Sequence, residues 1–204
     1  MTTESMAGSD SASSDSPSFD SPGSESGASE RLGCESGGSF CAASQEWGAS
    51  AENAQICFDF EAEFTAQLRC IPMAVRRKLD LAGVKLKLVH WSDLAVPERQ
   101  RLLEWPDGAA AIADLRLWLL ERTAQQVAGM ASTLPVACQE SWQQDQATPR
   151  SVQQACREQG VLLQDPAWGR LIELQRFALV KLSQSGHEHR NLPLALVEFG
   201  LTSP

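Results

Sequence analysis

Ala109-Ala110-Ala111-Ile112-Ala113-Asp114-Leu115-Arg116-Leu117-Trp118-Leu119-Leu120-Glu121-Arg122-Thr123-Ala124-Gln125-Gln126-Val127-Ala128 is the stretch that sets the fold class. It is built almost wholly of good helix formers, and Ile112, Leu115 and Leu119 recur at the i, i+3 and i+7 positions of one apolar stripe. Gly129 follows as a C-terminal stop. One long amphipathic helix predicts partners of the same kind, because its stripe must be buried against another element.

Upstream, Phe58, Phe60, Phe64 and Leu68 predict a first helix, which Ile71-Pro72 breaks because proline restricts the residue before it and has no N–H. Pro72 then opens Met73 to Leu81, and Gly83 closes it. Val84, Leu86 and Leu88 alternate with Lys85 and Lys87 in strand fashion, yet no partner strand is evident. That run is read as an extended segment leading into a short helix through Trp91. Pro97-Glu98-Arg99 opens the next helix, and Trp105-Pro106-Asp107-Gly108 ends it.

Downstream, Gln139 to Arg150 is polar and reads as a surface loop between two parts of one core. Thr148-Pro149 starts a helix that runs to Gly160. Asp165-Pro166 starts another expected to continue to Gly186, apolar around most of its girth and therefore central to the domain. Asn191 begins a short final helix. The reading is all-α: one compact multi-helix domain over 55–204, behind a long disordered tail over 1–54.

That tail rests on composition. Residues 1–50 hold 15 serines, seven glycines and eight acids against the one base Arg31, a net charge of −7. Such a segment has too few apolar groups to offset the entropy of ordering. The Ser-acid pairs at Ser9, Ser14 and Ser24 suit an acid-directed kinase, although a solubilising extension is the plainer reading. The longest apolar runs fall far short of the ~20 residues that span a bilayer. The start Met1-Thr2-Thr3-Glu4-Ser5 lacks the basic and apolar regions of a secretory signal, so a cytoplasmic protein is expected. The six cysteines form no C-x-x-C pair. Reduced thiols are expected, with Cys57, Cys70 and Cys156 as small buried hydrophobes.

Residues 69–101 are the basic part: Arg69, Arg76, Arg77, Lys78, Lys85, Lys87, Arg99 and Arg101 stand against Asp80, Asp93 and Glu98. Gathered on one face, they would make a docking surface for something acidic. A nucleic-acid regulator is a third-ranked use, opposed by a sequence pI near 4.8 and the acidic tail. His187-Glu188-His189 could ligate a metal if Cys70 or Glu198 approached. The plainer reading places these imidazoles and Arg190 at a helix C-terminus, against its unpaired carbonyls. No G-x-S-x-G, phosphate-loop, H-E-x-x-H or G-x-G-x-x-G motif occurs, and Glu61 and Glu63 point apart on a helix. No catalytic residue and no metal ligand is assigned, and no cofactor is expected.

Two blocks carry a resemblance. The first is Phe60-Glu61-Ala62-Glu63-Phe64 with Leu68 to Asp80, Gly83 to Leu88, Trp91 and Glu98-Arg99; the second is Gln175 to Ser183, His187 to Asn191 and Leu194 to Leu201. Over roughly 57–201 the chain resembles the nitrate-reductase-associated protein family of cyanobacteria, small accessory proteins of assimilatory nitrate reductase. The resemblance implies a non-catalytic partner of a molybdenum-containing, ferredoxin-dependent reductase, acting in its maturation, cofactor loading or activity. The alternative is an enzyme or carrier acting on the molybdenum cofactor or its precursor. Partner-binding candidates are Arg69, Arg76, Arg77, Lys78, Lys85, Lys87, Trp91, Arg99, His187, His189 and Arg190. Leu68, Ile71, Val75 and Leu79 read as core.

Overall fold

Proline and glycine punctuation divides the chain into short helices, and the computed structural model follows it closely. It describes residues 57–65, 67–184 and 186–202, with the side chains of Phe64, His187 and Glu188 left out; the expected tail over 1–54 lies outside the described residues. A 3-10 turn at Asp59–Glu61 leads into α1 (Ala62–Thr65), then α2 (Met73–Ala82), β1 (Val84–Lys85), α3 (Leu88–Asp93), α4 (Val96–Glu104) and α5 (Ala109–Ala124). After β2 (Ser132–Thr133) and a 3-10 turn at Ser141–Gln143 come α6 (Arg150–Glu158), α7 (Asp165–Gly169) and α8 (Glu173–Leu182). A third 3-10 turn, His187–Asn191, opens α9 (Leu192–Glu198). The fold is mainly α, with a single two-stranded ribbon among the described residues.

α8 lies at the centre: Leu174, Phe177, Ala178, Leu179 and Leu182 are wholly buried. α2 and α6 pack on it directly, and α5 packs on α2. Leu68, Val75 and Leu79 are in the core as expected, and Ile71 is packed against it. No helix among the described residues is long and apolar enough to cross a membrane.

Several expectations needed correction. The first helix is cut to a 3-10 turn and α1, because Leu68 turns the chain at φ 51°. That conformation is disfavoured for leucine, but the Leu68 carbonyl is held by Trp91 Nε1 (2.7 Å) and Arg99 NH1 (3.0 Å). Val84-Lys85 does find a strand partner, Ser132–Thr133, in antiparallel register Val84↔Thr133 and Lys85↔Ser132. α5 therefore stops at Ala124, short of Ala128. The Thr123 hydroxyl donates to Leu119 O (2.7 Å) and accepts from Ala131 N–H (2.9 Å), and the chain swings back through Gly129 (φ 76°) toward β1.

The expected long helix from Asp165 to Gly186 is two helices, α7 and α8. Arg176, buried in α8, donates to the carbonyls of Leu171 (2.6 Å) and Trp142 (3.0 Å), so the break is hydrogen-bonded rather than helical. The Gln139–Arg150 stretch is likewise more than a surface loop, since Trp142 within it is buried edge-on to Phe177, with ring centroids 5.2 Å apart. The thiols also depart from expectation. Cys156 alone is buried as expected, and burial pushes its thiol up to about 11. Cys57 is exposed, Cys70 is half-buried, and Cys138 is disulfide-bonded.

Candidate partner-docking cleft

α2 divides the basic residues of 69–101 between inside and outside. Arg77 is buried: NH1 meets Asp107 Oδ2 at 2.7 Å and NH2 meets Glu173 Oε1 at 2.6 Å. Lys78 is fully buried, with its ammonium donating to the carbonyls of Leu103 (2.7 Å) and Leu102 (3.4 Å) near the end of α4. Burial pushes the Lys78 ammonium down to about 8, against the pull of Asp107. Trp91 is fully buried as well. Arg77, Lys78 and Trp91 are thus corrected from surface candidates to interior residues, because each polar head has a partner donated by another element. Arg99 is half-spent in the same way, clasping the carbonyls of Leu94, Leu68 and Ser92.

The other bases face out. Arg69, Lys85, Lys87 and Arg190 are exposed and Arg76 is half-buried, its Nε donating to Ile71 O (3.1 Å). Arg76 and Lys85 come together in a cleft of about 520 Å³ between α2, the β1–β2 ribbon and the end of α8. Its lining includes Cys70, Ile71, Leu79, Asp80, Val84, Leu86, Leu88, Leu134, Lys181 and Gln184. Lys181 bridges to Asp80 at 2.7 Å and lies 5.1 Å from the Phe177 ring centre, so the only acid among the described lining residues is already paired.

Gly83 makes the cleft possible. It ends α2 at φ +60°, and a Cβ there would stand 2.5 Å from the Leu134 carbonyl and 2.7 Å from Arg116 NH1. Only glycine lets the segment after β2 run this close to α2, where Leu134 N–H donates to Gly83 O (2.8 Å) and Ala137 N–H to Asp80 O (3.1 Å). Lys181 and Leu134 escaped the sequence reading as cleft residues. Lys181 is the last cation of a strongly apolar helix, and Leu134 follows a two-residue strand whose partner strand starts 48 positions upstream.

The remaining candidates sit elsewhere. His189 Nδ1 lies 3.0 Å from Leu182 O at the end of α8, as the helix-terminus reading expects. The His187 side chain lies outside the described parts. Glu198, offered as a third metal ligand, is committed to the backbone N–H groups of Asp59 (2.9 Å) and Phe60 (3.0 Å). With Glu61, whose carboxylate accepts from Phe58 N–H (3.2 Å) and Met73 N–H (3.0 Å), it straps the start of the described chain onto α2 and α9. Burial pushes the Glu61 carboxyl up to about 7, although these N–H groups and Arg76 pull it down.

No curated protein and no solved structure matches the chain. Residues 57–199, spanning the helices, the strap and the cleft, match the family described as conserved nitrate reductase-associated protein. The chain belongs to that family of nitrate reductase-associated proteins.

Proposed function

We propose that the chain is a non-catalytic accessory protein of the cytoplasm that binds assimilatory nitrate reductase and supports its maturation, cofactor loading or activity. The observation that carries this reading is the family match across residues 57–199, a range that contains the whole cation-rich cleft. The chemistry of the interior supports it. Arg77, Lys78, Glu61 and Arg176 are spent on ion pairs and backbone groups that fix the fold. What the surface offers is Lys85 and Lys87 beside exposed Leu88 and Leu134, the mixture of charge and apolar area from which protein interfaces are made.

Two measurements test the reading. A tagged full chain should bring nitrate reductase with it from cells grown on nitrate, and cells lacking the chain should show reduced reductase activity. Undiminished reductase activity in the deletion strain would overturn the proposal.

A further inference from the structure

The mouth of the cleft combines two properties. Lys85 lines the cleft, Lys87 is exposed two residues on, past buried Leu86, and the one acid among the described lining residues, Asp80, is bridged by Lys181. Beside them stand Leu88, 57% exposed, and Leu134, 43% exposed, both cleft-lining. Val89, next in sequence to Leu88, and Val136, two residues past Leu134, are exposed as well. Unpaired ammonium groups attract carboxylates or phosphates, while exposed leucines gain only from another apolar side chain. A phosphate backbone satisfies the first property and wastes the second. A neutral apolar segment does the reverse.

We infer that the cleft is the docking site for an acidic segment of a partner protein, one that places an apolar side chain between flanking carboxylates. The apolar side chain seats against Leu88 and Leu134, and the carboxylates meet Lys85 and Lys87. The inference rests on the accessory reading above, from which the partner is nitrate reductase. The leucines supply the desolvated centre of the contact and the lysines its steering and register.

The test uses the tagged full chain and purified nitrate reductase at about 0.15 M salt. Two variants alter the cleft, Lys85→Glu with Lys87→Glu, and Leu88→Ser with Leu134→Ser. A third, Arg150→Glu with Arg157→Glu, reverses exposed charges on α6, and circular dichroism confirms that each variant is folded. Wild type and the α6 variant should capture reductase equally, and each cleft variant should capture roughly tenfold less. Undiminished capture by both cleft variants overturns this inference and leaves the accessory reading standing. No capture by wild type overturns both.

Two further outcomes would reassign the cleft. One is a dimer of the chain alone that Lys85→Glu with Lys87→Glu dissociates, which would give the site to a second copy. The other is a roughly tenfold gain in capture when the eight acids of residues 1–50 are changed to Asn or Gln in the full chain, which would give it to the chain's own N-terminus. Either result overturns the inference.

Discussion

Arg76 and Arg77 are neighbours on α2 with opposite fates. Arg77 points inward to Asp107 and Glu173, whereas Arg76 points toward the cleft shared with Lys85 and Lys181. One helix therefore serves two purposes: Arg77 and Lys78 hold α2 against distant parts of the chain, and Arg76 lines the cleft. The difference follows from what meets each side chain, since α4, α5 and α8 all pack on α2 and bring acids and carbonyls with them. Arg77 is closed in by its two acids, whereas Arg76 holds the Ile71 carbonyl through Nε and still lines the cleft.

If this division is right, inner substitutions should cost stability and outer ones should cost binding. Arg77→Met should have the largest effect on folding, because it strands Asp107, whose side chain is only 8% exposed. A loss of about 3 kcal/mol is expected from urea unfolding, the cost typical of breaking a buried ion pair. Gly83→Ala comes next, at about 2 kcal/mol, since it adds a clash with the Leu134 carbonyl to a left-handed backbone. Because it pushes the ribbon wall away from α2, it should also weaken partner capture.

Glu61→Gln is smaller, about 1 kcal/mol for a weakened pair of backbone contacts. It carries a pH signature. The folded carboxyl is raised to about 7 from its ordinary 4.5, so the folded state holds the proton more tightly than the unfolded chain. Stability contributed by this group is present below pH about 4.5 and declines as pH rises to about 7. That slope should be absent in the Gln variant, as read from urea midpoints across the range. Lys78 has the opposite linkage. Its ammonium is lowered to about 8 from 10.5, so stability should rise between those pH values and the rise should vanish in Lys78→Met.

Lys85→Ser should have the smallest effect on folding, under about 0.5 kcal/mol, as expected for an exposed side chain away from any cap or core contact. A large loss of stability there would break the division between interior cations that hold the fold and exposed ones at the cleft.

Much of the fold was legible because its signals are local. Pro97, Pro149 and Pro166 start helices, Gly83 stops one, and the Ile112, Leu115, Leu119 stripe identifies α5 without reference to anything distant. What could not be read was set by residues far apart in sequence. Arg77 finds its acids 30 and 96 positions away, so nothing near it says that it points inward. The ribbon register depends on a return of the chain after α5, and the break between α7 and α8 depends on Arg176 reaching the Trp142 carbonyl. The candidate site was legible to the extent that its cations are exposed. Arg76 and Lys85 were found by composition, while Lys181 and Leu134 enter only through packing.

Hydrogen exchange of the full chain with and without nitrate reductase tests the central claim most directly. Slowed exchange is expected at Val84 to Leu88 and Ser132 to Val136, the backbone flanking the cleft, with the interior of α8 already protected in both states. Protection appearing on another surface while these two segments exchange at unchanged rates would contradict it.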